Sequence, residues 1–193
     1  MRKLTLLLAA AVLLVSSAPA RAQVQSHGPE IFPGKLQVGV SVIGVQAGFE
    51  NLSPSGYKLT SDISGLIAPL SIGGIWLGGG INYTAGVFDC DVKNCGGDLQ
   101  LWAFAMLTFE KLIPIPLVPF VRAGLGGDAL FYDPTFGAFI FRFGGGVHYY
   151  LLKWLGVGLE TNFTLGAGFY NNVNGGTAFY GTWDFGIGAR FAF

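Results

Sequence analysis

The chain has 193 residues, 51% of them hydrophobic and only 11% charged, with 31 Gly, 17 Phe and a mean hydropathy of +0.53. Eleven basic residues balance eleven acidic ones, which excludes a nucleic-acid binder with a basic excess and a disordered segment of low hydrophobicity and high charge. The glycines follow no three-residue period and Pro numbers only 9, so collagen-like and low-complexity readings fail as well.

The first element is a leader. Met1-Arg2-Lys3 precedes the apolar run Leu4 to Val15, and Ala20-Arg21-Ala22 supplies a small-x-small exit, the pattern of a secretory signal peptide cleaved after Ala22. Its removal leaves eight basic residues against eleven acidic ones, a mildly acidic mature chain. Beyond it the longest apolar stretch, Leu112 to Val121, carries Pro114, Pro116 and Pro119. A spanning helix needs about 20 apolar residues, so helical spanning is excluded.

From Lys35 onward apolar residues recur every second position, the strand signature. Turn signals divide the rest into eight predicted strands: 35–50, 57–69, 74–89, 98–110, 118–132, 137–151, 154–170 and 178–193. An even number suits antiparallel hairpins that close into a barrel. In the first strand the apolar parity slips from even (Val38, Val40) to odd (Val45, Ala47), which predicts a bulge near Val42 or Ile43. The outer connections come out at about 4 to 9 residues, short for a large adhesive surface.

Which face is wet decides the solvent. Lys58, Asp62, Arg122, Asp128, Arg142, Glu160, Asp184 and Arg190 all fall on the minority polar face, together with glycines such as Gly124, Gly126, Gly144, Gly146 and Gly158. The apolar face is too aromatic for the interior of an eight-stranded cylinder, so it is assigned to the outside. Each basic strand residue turned toward lipid would cost about 2–4 kcal/mol near the midplane, which favours an inward, glycine-cleared lumen. Two aromatic belts are expected, Phe49, Tyr57, Phe131, Phe139, Phe169 and Phe179 at one rim and Phe109, Tyr149, Phe191 and Phe193 at the other.

The segments 119–126 (PFVRAGLG), 144–151 (GGGVHYYL), 157–160 (VGLE) and 185–193 (FGIGARFAF) resemble the small eight-stranded outer-membrane barrels of Gram-negative bacteria of the OmpA/OmpX type. The resemblance covers about residues 35–193. It implies an all-β fold, an eight-stranded antiparallel up-and-down transmembrane β-barrel, with 1–22 as signal peptide, 23–34 as a short periplasmic segment and 35–193 as the barrel. It also implies that Phe185, Ile187, Phe191 and Phe193 form the signal read by the barrel assembly machinery. The sequence stops at the barrel, so a peptidoglycan-binding domain is not expected. Lipid and lipopolysaccharide are the expected surroundings, the chain is expected to be monomeric, and no nucleic acid, cofactor or metal is expected.

Cys90 and Cys95 lie in an outer loop and are expected to form a disulfide in an oxidising compartment. The surrounding carboxylates do not fit the spacing of a calcium-binding loop. Gly124 to Ala129 matches G-x-G-x-x-A, but inside a period-two strand it reads as lumen spacing. His148 falls in the lumen near the inner rim, with no serine on the last three strands, which weighs against the catalytic arrangement of a lipid A-modifying barrel. By height, Arg122, His148, Glu160 and Arg190 form one layer, and Asp128, Arg142 and Asp184 a higher one. Buried charges need partners, so the expected function is a structural or envelope-interaction barrel, not an enzyme, with a charge-plugged lumen. Two alternatives stand beside it, a narrow channel for small or apolar solutes and a lipid A-modifying enzyme.

Overall fold

The computed structural model describes residues 35–48, 55–86, 97–113, 115–131, 136–169 and 177–193. Eight strands form within them: β1 (Leu36–Gly48), β2 (Gly56–Pro69), β3 (Gly74–Gly86), β4 (Asp98–Thr108), β5 (Leu117–Leu130), β6 (Phe136–Leu152), β7 (Leu155–Phe169) and β8 (Thr177–Ala192). Each pairs antiparallel with the next, and β8 pairs back onto β1 from Gln37–Ala192 to Gly48–Thr182, closing the sheet into a barrel. Backbone bonds Leu36 N to Phe193 O (3.1 Å) and Phe193 N to Leu36 O (2.8 Å) finish the seam. Closure removes the unpaired strand edges that a membrane cannot tolerate. The end carrying Leu36 and Phe193 is called the near end below, and the opposite end the far end.

Strand limits follow the alternation of the sequence to within about two residues where both ends are described. The signal segment 1–22, the segment 23–34, Cys90 and Cys95 and Phe49 lie outside the described residues. The bulge in β1 is present: the register shifts between Ser41 and Gly44 against β2 and between Ser41 and Ile43 against β8. Val42 and Ile43 are both exposed, at 66% and 52%. Two adjacent outward residues restore the parity, so Ser41, Gly44 and Gln46 all face the lumen.

Outside, the barrel is an apolar band. Tyr57, Phe131, Phe139 and Phe179 are exposed toward the far end and Tyr149 and Phe193 toward the near end. The two-belt expectation is incomplete, because a ladder crosses the middle as well. Phe143, Phe163 and Trp183 are cross-strand partners on β6, β7 and β8, with ring centroids 5.6 and 5.9 Å apart. The indole of Trp183 donates to Thr161 Oγ1 at 2.6 Å, so its polar edge is satisfied on a surface with no water to bond.

Inside, the lumen is less polar than the sequence suggests. Trp76, Trp102, Phe104, Met106, Phe120, Leu130, Ile140 and Tyr180 are buried in a continuous apolar cluster on the lumen side. The correction has a simple cause: on β4 both faces are apolar, with Trp102, Phe104 and Met106 inward and Leu101, Ala103 and Ala105 outward. Parity of hydrophobicity cannot orient such a strand. The lumen glycines accordingly clear room for rings as well as for arginines. A Cβ on Gly80 would sit 2.5 Å from the Trp102 indole nitrogen, and one on Gly78 would sit 2.7 Å from Phe104 Cζ.

Candidate functional site

The charged lumen divides into two layers. In the nearer one, Arg122 on β5 reaches across the barrel. Its NH2 group lies 2.6 Å from Glu160 Oε2, its NH1 group 3.1 Å from Asp62 Oδ2, and its Nε donates to Asn162 Oδ1 at 3.0 Å. Arg190 on β8 shares the same acceptors, at 3.1 Å from Asp62 and 3.5 Å from Glu160. His148 Nε2 lies 3.1 Å from Glu160 Oε1, and its ring stacks on Phe120 at 4.8 Å. Two arginines thus face two carboxylates within a buried ring of partners, the condition under which buried charge is tolerated.

The apolar cluster supports this layer directly. The Arg122 guanidinium lies over Trp102 (5.1 Å), Phe120 (5.6 Å) and Phe104 (5.9 Å), and Arg190 lies over Phe120 at 5.6 Å. A planar cation suits such a ring wall, where a desolvated cation–π contact is worth about 2 kcal/mol.

The farther layer centres on Asp184. Lys58 Nζ lies 3.0 Å and Arg142 NH2 2.8 Å from its Oδ2. Lys58 also donates to Gln46 Oε1 at 2.7 Å, and Arg142 to Thr164 Oγ1 at 2.9 Å. Asn162 Nδ2 donates to Asp184 Oδ1 at 3.0 Å while its Oδ1 accepts from Arg122, so one amide joins the layers into a single network. Asp128 takes no ion pair among the described residues. It accepts from Tyr180 OH at 2.5 Å and Gln100 Nε2 at 3.1 Å.

All nine residues read from the sequence as lumen charges, Lys58, Asp62, Arg122, Asp128, Arg142, His148, Glu160, Asp184 and Arg190, are buried. Asp98 is not among the predicted lumen charges, although the fourth predicted strand starts with it. It is the first residue of β4 and fully buried. Sequence reasoning also missed the amides Gln46, Gln100 and Asn162, which link one charged group to the next by hydrogen bonds. The available signal was parity: Asp98 and Gln100 share the face of Trp102, and Asn162 that of Glu160. Of the four residues expected to form an assembly signal, Phe185, Ile187 and Phe193 are exposed on the outer surface, and Phe191 stacks with Trp154 at 6.2 Å.

A recess lined by Ser41, Gly44, Lys58, Thr60, Glu160, Asn162, Asp184, Phe185 and Gly186 holds about 10 Å³, roughly the room of one water molecule. It lies on the β1–β2–β7–β8 side. Among the described residues no three His, Cys, Asp or Glu side chains converge as a metal centre, and no helix is long and apolar enough to cross a membrane.

An apolar belt outside and ionised side chains sealed within make this a membrane-spanning barrel, the reverse of a soluble one. Comparison with solved structures agrees on the fold. The barrel of Neisserial surface protein A is similar, with a TM-score of 0.63 and 12% identity, covering 82% of this chain and 96% of that one. The N-terminal β-barrel domain of Pseudomonas aeruginosa OprF gives 0.47 at 13% identity over 81% and 96%, and the outer membrane enzyme PagL gives 0.46 at 14% identity over 81% and 99%. No protein-family model and no curated protein sequence matches the chain. The fold is therefore shared with Neisserial surface protein A.

Proposed function

We propose that this chain is an integral barrel of the outer membrane of a Gram-negative bacterium, with a structural or envelope-interaction role and a lumen closed by its own side chains. The near end faces the periplasm and the far end the outside, after export by the signal peptide 1–22. The observation that carries the reading is the joined two-layer network: Arg122, Arg190 and Arg142 reach across the barrel interior and are held by carboxylates and aromatic rings. Planar-bilayer recording tests it. The refolded protein is expected to show no steady conductance. A stable open level that changes with Glu160→Gln would overturn the plug and support the second reading, a narrow channel, which the recess beside Lys58 favours.

Catalysis is not part of this reading. The His148 ring is 2% exposed and contacts Glu160 and Phe120, so it meets no nucleophile among the described residues and lies at the end away from the outer leaflet. The expected surroundings are membrane lipid and lipopolysaccharide, and the expected state is a monomer.

The proposed protein partner is the assembly machinery, which would read the outer face of β8 during biogenesis. Phe185, Ile187 and Phe193 project from the outer face of the closing strand segment and form the proposed recognition segment with Phe191. Phe193→Ser is expected to lower the outer-membrane level of the protein several-fold in cells while refolding in detergent proceeds as before. Equal loss in both settings would assign Phe193 to stability and not to recognition.

A further inference from the structure

The far end of the lumen carries charge that its ion pairs do not neutralise. Asp98, Asp128 and Asp184 are buried there beside two cations, Lys58 and Arg142, and both cations are ion-paired with Asp184. Asp98 and Asp128 have no ion pair among the described residues, and the donors they meet are neutral. Gln100 Nε2 gives one hydrogen to Asp98 Oδ2 (2.9 Å) and the other to Asp128 Oδ2 (3.1 Å). Gln46 Nε2 donates to Asp98 at 3.1 Å and Tyr180 OH to Asp128 at 2.5 Å. Two carboxylates held around a single amide repel each other, no cation among the described residues touches either, and the three acidic groups of this layer outnumber its two cations, a costly arrangement in a low-dielectric interior.

The oxygens left over point to what completes it. Asp98 Oδ1, Asp128 Oδ1, Asn82 Oδ1 and Thr84 Oγ1 are buried and make no hydrogen bond. They sit on neighbouring strands, since Thr84 pairs with Asp98 across β3 and β4, and Asn82 pairs with Gln100, which pairs with Asp128 across β4 and β5. Amide orientation is settled by the network. Because Gln100 Nε2 serves two carboxylates, its Oε1 must accept, and it does so from Asn82 Nδ2 at 3.2 Å and Arg142 NH1 at 3.3 Å. Asn82 is thereby obliged to present its own oxygen as a free acceptor. Four oxygen acceptors, two of them ionisable, and no nitrogen or sulfur define a hard-cation donor set.

We propose that Asn82, Thr84, Asp98 and Asp128 bind one divalent hard cation of the calcium class at the far end of the lumen. Calcium accepts six to eight oxygens in irregular geometry, with water filling the remaining positions, and one dication would give both aspartates the direct cationic contact that neither has. Gln100, Gln46 and Tyr180 act as positioning residues that hold the outer oxygens of the two aspartates. The inference is independent of whether the barrel conducts.

The test uses the full mature chain refolded in detergent, with folding of every variant verified by its heat-modifiable gel shift. After treatment with a chelator, calorimetric titration with calcium chloride is expected to show a single saturable site and a rise in Tm of about 5 °C. The charge-neutral variant Asp98→Asn/Asp128→Asn is expected to fold and to lose both responses. Thr84→Val, which keeps both carboxylates, is expected to weaken binding at least about tenfold, and Asp89→Asn/Asp91→Asn is expected to leave it unchanged. A wild-type protein whose Tm ignores calcium and chelator yet rises on mild acidification would overturn the proposal, because a proton would then neutralise the pair. Calcium binding that survives Asp98→Asn/Asp128→Asn would overturn it equally, by locating the ion elsewhere.

Discussion

Replacing Arg122 by alanine is expected to destabilise the folded barrel by about 3–5 kcal/mol, the cost of removing one partner from a buried ionic cluster. The guanidinium binds Glu160, Asp62 and Asn162 at 2.6–3.1 Å and covers three aromatic faces. Without it, Arg190 alone must serve both carboxylates, and its contact with Glu160 is already the longest at 3.5 Å. Equilibrium urea unfolding in lipid vesicles measures the loss. Arg122→Ala/Glu160→Gln is expected to be less unstable than the two single changes sum to, because it restores the charge balance of the layer. Arg122→Lys is expected to fall between wild type and alanine, since an ammonium keeps the charge but not the planar fork and ring stacking. Lys153→Ala, at an exposed turn, should stay within about 0.5 kcal/mol. A loss below about 1 kcal/mol for Arg122→Ala would mean that the lumen rearranges or hydrates without cost, and the plug would no longer be supported.

The second large effect separates two adjacent glycines. A Cβ on Gly126 would meet the Leu101 carbonyl oxygen and come within 2.7 Å of Trp102 Cα and 2.8 Å of its Cβ. Most of these atoms are backbone and cannot swing aside, so Gly126→Ala has to push β4 and β5 apart. Its expected cost is about 3 kcal/mol, at the upper end for overpacking. Gly127 faces outward, and the nearest atom to its Cβ would be the Ala138 carbonyl oxygen at 3.9 Å. Gly127→Ala is expected to be neutral or to stabilise by about 0.5 kcal/mol, since alanine loses less backbone entropy than glycine. Folded fraction by gel shift and unfolding free energy both report the contrast. Equal tolerance at the two positions would show that the lumen is not packed as described.

These predictions depend on facts of different legibility. Period-two alternation over β7 and β8, with glycine and charge on one side and Phe163, Leu165, Phe185 and Ile187 on the other, is written in the residues themselves. The bulge at Val42 was readable for the same reason, because a slipped parity has one economical cause. The pairing of Arg122 with Asp62 was not, since it joins β5 to β2 across the lumen over a separation of 60 residues. Nothing local links those positions. The inward Trp102 and Phe104 of β4 and Phe120 of β5 were also hidden, because hydrophobicity orients a strand only when its two faces differ.

By itself the sequence determined the class of solvent and the closure of the sheet. Alternation at period two is a local property, eight such segments can satisfy every backbone group only by closing, and charges confined to one face cannot be left in lipid. Only the tertiary structure decided which charges meet, how aromatic rings and glycines share the narrow interior, and that Asp98 and Asp128 share one amide donor without an ion pair among the described residues. The physical reason is that lumen contacts are set by strand stagger around the barrel. A small change in register leaves the alternation of a strand intact but replaces the partners of its inward side chains.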